Sequence, residues 1–378
     1  MMQPLKIMVV DDSSLYRRIM TKSVESLGLV TEVKTAPSGA IALKKIPDFH
    51  PDIVLLDIEM PEMNGIEVLG IIKREFPDVT VILVSGVNSR SADITIEGLS
   101  SGAADFIPKP TGSNLEENTA LLRRGLKDAI DLITAKRHAR KERKKLRSES
   151  PTKSALPIQP GAAPSPRVAP MARRAPSILP ARIEIVGIGV STGGPSALGA
   201  LVPTLPKNFS VPVVIVQHMP PVFTESLARS LDNNSNLSVC EAQEGQVLEP
   251  GRVYIAPGGI HTMVKRVTDQ EQHKLIVRLN DGPPVNSCKP AVDVLFDSLA
   301  QAVGGRTLAV IMTGMGHDGR YGTARIKSEM GYCLSQSEES CTVYGMPQAV
   351  DQAGLSDEII HLQDLSGRIT TIVNGVKH

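Results

Sequence analysis

Tryptophan is absent from this chain of 378 residues, and aromatic residues make up only 3% of it. So small an aromatic supply argues against a surface that stacks on nucleic-acid bases. Net charge is lacking as well. Lys and Arg number 41 against 40 Asp and Glu, a formal balance of +1, so nothing in the bulk charge selects nucleic acid or a membrane surface. No apolar run approaches the roughly 20 residues of a membrane-spanning helix. The four cysteines, Cys240, Cys288, Cys333 and Cys341, all fall in the C-terminal half. They lack the CxxC spacing of a zinc or redox site, and no signal-peptide pattern precedes them. They read as free thiols of a reducing compartment, and the chain as cytoplasmic.

What is present is ordinary globular material, 41% hydrophobic and 21% charged, and enough of it for two or three domains. Between 5 and 135, apolar strands alternate with helical stretches: LKIMVV, VTEVKT, DIVLLD, VTVILVS and ADFIPK. Near-continuous apolar strands between helices predict a small doubly wound parallel sheet. The run KRHARKERKKLR at 136–147 holds eight basic residues and one Glu, and reads as a solvated helix end or a basic arm. Residues 151–180 contain eight prolines and no acidic residue, a composition that builds no core and serves as a tether. The strand–helix rhythm then resumes with RIEIVGIGV, VPVVIVQH, RVYIAPG, KLIVRL and TLAVIMTG, a second α/β domain.

Chemistry-bearing residues gather at the carboxyl ends of the first set of strands. Asp11 and Asp12 follow IMVV, Asp57 follows IVLL, Ser85 follows VILV and Lys109 follows DFIP. In a doubly wound sheet these ends face one crevice. A lone Asp there is commonly a helix cap, but five positions on four strands at one edge call for another reason. Three carboxylates so close repel one another, and hard oxygen donors with few other ligands suit Mg²⁺. A lysine and a hydroxyl beside them could hold phosphoryl oxygens.

This segment resembles a two-component receiver domain over nearly its whole length, through DD at 11–12, DIEMPEMNG at 57–65, VS at 84–85 and FIPKP at 106–110. The resemblance implies that Asp57 accepts a phosphoryl group from a histidine kinase and that Asp11 and Asp12 join it in binding Mg²⁺. It also implies that Lys109 contacts the phosphoryl group, with Ser85 as the switch hydroxyl and Phe106 as its aromatic partner.

The second domain opens on IVGIGVSTGGPSAL at 185–198. As a dinucleotide loop it should be followed by an acidic residue at the end of the next strand, but that strand ends in Gln217 and His218. A P-loop would need a lysine, and none is there. Gly189-Val-Ser191-Thr-Gly193 fits GxSxG, a nucleophile on a strand-to-helix turn with helix N–H groups nearby for an oxyanion. Such a serine needs a base, and the base an acid. His218 ends the next strand, with His261 and His317 as rivals, and Asp318 follows another apolar strand in VIMTGMGHDG. The chain order Ser, His, Asp is not that of an α/β-hydrolase.

Residues 183–375 resemble the catalytic domain of the chemotaxis protein-glutamate methylesterases, the CheB family. The likeness is carried by STGGP at 191–195, QHMPPVFTESLA at 217–228, VYIAPGGIH at 253–261, KPAVDVLFDSLA at 289–300, TGMGHDG at 313–319 and VYGMPQAV at 343–350. It implies Ser191 as nucleophile, His218 as base and Asp318 as orienting acid, with Thr192 and the Met315 backbone near the oxyanion. After FTESLA the family often has an arginine–leucine pair, whereas here the arginine is displaced to Arg229. The expected architecture is α/β throughout: a five-unit doubly wound receiver at 5–122, a basic and Pro-rich connection at 123–180, and a Rossmann-like, mostly parallel esterase domain at 181–375. The implied activity is phosphorylation-activated hydrolysis of glutamate methyl esters on chemoreceptors, with deamidation of glutamines. The esterase itself would need no cofactor. A receiver joined to a non-catalytic regulatory or scaffold output is the alternative.

Overall fold

The computed structural model describes residues 5–28, 30–109, 182–269 and 272–375, with isolated positions between 119 and 130. The basic run and the Pro-rich stretch lie outside the described residues. Strands β1 (Leu5–Val10), β2 (Val30–Ala36), β3 (Ile53–Asp57), β4 (Thr80–Ser85) and β5 (Asp105–Pro108) form one sheet in the order β2-β1-β3-β4-β5. All neighbours are parallel. Every residue of β3 is buried, as its uninterrupted apolar run requires of a central strand covered on both faces. The helices between begin where the sequence supplies caps. Ser13 and Ser38 accept from Tyr16 and Ile41 N–H, and Asn64 closes a capping box with Glu67 before helix Gly65–Glu75.

The second unit is built on strands β6 (Ile185–Val190), β7 (Val213–Gln217), β8 (Ser238–Glu241), β9 (Arg252–Ile255), β10 (His261–Asp269), β11 (Gln272–Asn280), β12 (Thr307–Ile311), β13 (Tyr332–Gln336) and β14 (Glu358–Ile360). Seven of these form a sheet in the order β14-β13-β12-β6-β7-β9-β8, and β10 and β11 pair separately as an antiparallel hairpin. KLIVRL therefore belongs to the hairpin and not to the main sheet. The seven-stranded sheet is parallel at each pairing. Strand β6 is central: the chain runs outward through β7 on one side and returns on the other through β12. That reversal is the topological switch point, where a doubly wound sheet opens its crevice.

Helix Val292–Val303 crosses this centre closely. A side chain at Gly187 would meet Leu299 and Phe296, and one at Gly189 would meet Val292. The glycines of VGIGV thus admit a helix onto the sheet.

The two units touch. Helix Ser89–Ser100 of the first lies against helices Gly194–Leu201 and Phe223–Asn234 of the second. The Phe106 and Phe223 rings sit 4.6 Å apart between centroids, Arg229 Nη2 meets Asp93 Oδ1 at 2.7 Å, and Ser196 Oγ donates to the Leu99 carbonyl at 2.8 Å.

Candidate functional site

Two groups of side chains stand at the carboxyl ends of the two sheets. In the first, Asp11 and Asp57 are fully buried and Asp12 is exposed, and one carboxylate oxygen from each lies within 4.8 Å of the others. Lys109 Nζ bridges Asp57 Oδ2 at 2.7 Å and Asp11 Oδ2 at 2.9 Å. Burial pushes the Asp57 carboxyl up to about 6, although Lys109 opposes the shift. The Lys109 ammonium resists its own desolvation, and its two carboxylate partners raise its pKa. One lysine for two buried carboxylates, with Asp12 at the rim, leaves negative charge uncompensated. That surplus on oxygen donors fits a divalent hard cation.

Ser85 belongs to the same strand ends but points elsewhere. Its hydroxyl accepts from Thr95 Oγ1 at 2.7 Å and contacts the Gly86 and Ser91 carbonyls, all on the side of helix Ser89–Ser100. Phe106 is half-buried and turned to Phe223.

In the second group, Ser191 occupies the turn between β6 and helix Gly194–Leu201. Gly193 takes φ +75° there, which the tight turn needs and a side chain resists. The turn is braced from both sides: Ser191 N–H donates to Thr313 O at 2.9 Å, and Gln217 Nε2 donates to Ser191 O at 2.9 Å. Because β7 neighbours β6, His218 emerges beside the serine, its N–H bonded to Val190 O at 3.1 Å.

His218 Nε2 lies 2.8 Å from Asp318 Oδ2. Asp318 is itself immobilised: Val292 N–H donates to the same oxygen at 2.6 Å, and Asp293 N–H, Gly319 N–H and Asn286 Nδ2 reach its other oxygen. Burial works against the Asp318 charge, but His218 and these donors hold its pKa below the usual carboxylate range. For His218, burial disfavours the cation, yet Asp318 and the nearby Cys288 outweigh it and push the imidazole up to about 9.

The rival bases are placed elsewhere. His261 is buried with both ring nitrogens engaged by backbone, Nε2 at Pro283 O and Nδ1 at Ala291 N–H. His317 is exposed. Gly314 backs onto Ser191, where an added Cβ would come within 2.8 Å of the serine Cβ, and Met315 follows it with its side chain exposed.

The serine and the histidine are neighbours without being joined. Among the described residues Ser191 Oγ makes no hydrogen bond, and the remaining imidazole nitrogen, Nδ1, faces Cys288 Sγ at 3.5 Å. In front of them is a cavity of about 200 Å³ lined by Ser191, Thr192 and His218 from one unit and Asp105, Phe106 and Ile107 from the other. Thr192 hydrogen-bonds the Asp105 carboxyl, whose burial lifts its pKa to about 6 despite donors from Phe106 N–H and Thr192. Sequence reasoning missed Asn286, Asp293, Gln217, Cys288 and Asp105. The quoted segments contain Asp105, Gln217 and Asp293, but spacing alone gives no sign that any of them borders or braces the site.

A receiver-type sheet seated over the serine turn of a second sheet is the arrangement of a response regulator whose output domain is a hydrolase. Residues 7–119 match the response regulator receiver domain family, and residues 186–369 match the CheB methylesterase family. A protein-glutamate methylesterase/protein-glutamine glutaminase of Trichodesmium erythraeum is 39% identical over 97% of this chain and 99% of its own length. One from Thermotoga maritima is 37% identical over 98% of both. The crystal structure of the Thermotoga maritima CheB methylesterase catalytic domain shares 41% identity, covers 50% of this chain and 97% of that one, and superposes with a TM-score of 0.47. The chain belongs to the CheB methylesterase family. It is an enzyme of the protein-glutamate methylesterase/protein-glutamine glutaminase class, and the non-catalytic alternative is not favoured.

Proposed function

We propose that this chain hydrolyses γ-glutamyl methyl esters on the cytoplasmic helices of chemoreceptors, and deamidates glutamines there, under control of phosphorylation at Asp57. The observation that carries the reading is the fixed His218–Asp318 pair beside the Ser191 turn, with the receiver seated over it. Asp318 holds the imidazole through Nε2, so Nδ1 is the nitrogen left to take the Ser191 proton. Ser191 Oγ then attacks the ester carbonyl, and N–H and hydroxyl donors around Thr192 and the Met315 backbone would receive the oxyanion. The imidazolium returns its proton to the leaving methoxide, methanol departs, and water, deprotonated by His218, hydrolyses the glutamyl-serine ester. With glutamine the same route releases ammonia.

In the receiver, Asp11, Asp12 and Asp57 would hold Mg²⁺, which when bound offsets the charge of the phosphoryl oxygens. Asp57 supplies the acceptor oxygen. Lys109, now paired with Asp57 and Asp11, would transfer one of its contacts to the phosphoryl group. Ser85 would leave Thr95 to reach it too, and the loss of that bond would disturb the helix that rests on the esterase. The phosphoryl donor would be a histidine kinase of the same pathway. Among the described residues no helix is long and apolar enough to cross a membrane. We place the protein in the cytoplasm, where such receptor helices are found.

The test is methanol release from methylated receptor by the full chain, with and without acetyl phosphate and Mg²⁺. Stimulation that Asp57→Asn removes is the expected result. Equal release in both conditions would exclude phosphorylation control, and no release in either would exclude the esterase.

A further inference from the structure

Cys288 plays no part in the reaction just described, yet its thiol faces the working nitrogen of the base. His218 Nδ1 and Cys288 Sγ are 3.5 Å apart. A tetrahedral zinc ion, bonded to nitrogen at about 2.0–2.1 Å and to sulfur at about 2.3 Å, spans two such atoms separated by about 3.5 Å. The separation of the pair thus matches that of two ligands sharing one ion.

Two further observations bear on the site. The other imidazole nitrogen is tied to Asp318 at 2.8 Å, and an imidazole so held by a carboxylate has its free nitrogen aimed and made more basic, as in carboxylate–histidine–zinc arrangements. Asp318 already accepts four other hydrogen bonds, from Val292, Asp293, Gly319 and Asn286, so it orients the ring and is not itself free to bind an ion. In addition, Cys288 is partly exposed and His218 lines the open cavity, so an ion has a way in and water can fill its other positions. Imidazole with thiolate selects a borderline-soft cation over Mg²⁺.

We propose that His218 Nδ1 and Cys288 Sγ form an inhibitory site for Zn²⁺ or a cation of the same class. Binding displaces the thiol proton and, where the imidazole is protonated, the Nδ1 proton as well. The ion then takes the Nδ1 lone pair, so the base is lost while the ion is present. The inference rests on the mechanism above only for its effect on activity. Binding itself is independent of that mechanism.

Two measurements keep the two questions apart. The first uses the full-length Ser191→Ala chain, which has no nucleophile, titrated with Co²⁺ as a spectroscopic substitute for zinc. A near-ultraviolet thiolate-to-cobalt charge-transfer band should appear with one equivalent. Cys288→Ala or His218→Ala should abolish it, Cys240→Ala should leave it, and Asp318→Asn should weaken binding by about 10- to 100-fold. Co²⁺ held by the receiver carboxylates gives no thiolate band. Absence of the band, or its survival without Cys288 or His218, overturns the proposal. The second measurement is Zn²⁺ inhibition of methanol release by the otherwise native chain. The Zn²⁺ concentration for half inhibition should rise at least tenfold in Cys288→Ala. An unchanged value overturns the inhibitory role even if the ion binds.

Discussion

Asp105 is a titratable receiver residue that reaches the esterase, through Thr192. Its carboxyl enters the cavity in front of Ser191, bonded by Thr192, and its pKa rises from 3.8 to about 6 because burial disfavours the charge. A carboxyl whose pKa is raised in the closed arrangement favours that arrangement fully below the ordinary value, and the advantage is lost as pH rises through about 6. At 1.36 kcal/mol per pH unit, the ionised side chain weakens closure by up to about 3 kcal/mol above pH 6. That is an upper bound, since part of the shift belongs to the receiver's own burial of Asp105.

Asp105→Asn removes the ionisable group while keeping the shape and an acceptor for Thr192. At pH 8 the unphosphorylated full chain with asparagine should stay closed more of the time and release methanol about tenfold more slowly than the native chain. At pH 5 the difference should be clearly smaller, because much of the native carboxyl is then protonated in the closed arrangement. The assay is initial methanol release from methylated receptor across pH 5 to 8. Each rate is divided by that of the same variant in its phosphorylated form, so that the titration of His218 cancels. An asparagine variant that is as fast as the native chain at pH 8, or faster, would refute the argument.

Ser191→Ala and His218→Ala should each reduce methanol release by three or more orders of magnitude with far-ultraviolet circular dichroism unchanged, and Asp318→Asn by less. Acetyl phosphate with Mg²⁺ should label Asp57, shown by loss of label in Asp57→Asn, while Lys109→Ala should accept label yet gain little activity. With the imidazole pushed up to about 9, the base is mostly protonated at neutral pH, so kcat/KM should climb from pH 7 towards pH 9. A profile flat over that range would mean that His218 titrates lower in the working enzyme. His261→Ala should lower the melting temperature more than it lowers activity, because both its ring nitrogens bind backbone.

Most of the frame was legible because it is written in short range. Strands β1, β3, β4, β6, β7 and β12 are near-continuous apolar runs, and the residues just beyond them fall at one sheet edge by the geometry of a parallel sheet. That is why Asp57, Ser191, His218 and Asp318 stand out. Strands β8, β10, β13 and β14 escaped notice for the converse reason. Strand β13 buries Ser335 and Gln336, which read as polar but are satisfied by Asp351 Oδ1 and Thr313 N–H. Asn286 and Cys288 sit in a loop that reaches the site only through tertiary packing, and no spacing announces it. The glycines of VGIGV read ambiguously because close helix packing and phosphate binding ask for the same residue. Only the position of helix Val292–Val303 separates the two.

The contact between the units is also of a kind suited to switching. Arg229 and Asp93 are about half exposed, and such an ion pair contributes ~1 kcal/mol or less. The ring pair adds about 1 kcal/mol beyond its buried area, and the Ser196–Leu99 hydrogen bond about as much. These contacts flank apolar packing, for Leu99 and Phe223 belong to one buried cluster that runs across the two units with Phe106 against it. Because both units belong to one chain, the contact forms at a raised effective concentration and needs less free energy than one between free molecules. A tenfold change in the open fraction needs only about 1.4 kcal/mol. Loss of the Thr95–Ser85 hydrogen bond on one face of helix Ser89–Ser100 is of that order, and Asp93 and Leu99 lie on the same helix. On the mechanism proposed above, a signal at Asp57 would have to move one helix only slightly to uncover Ser191.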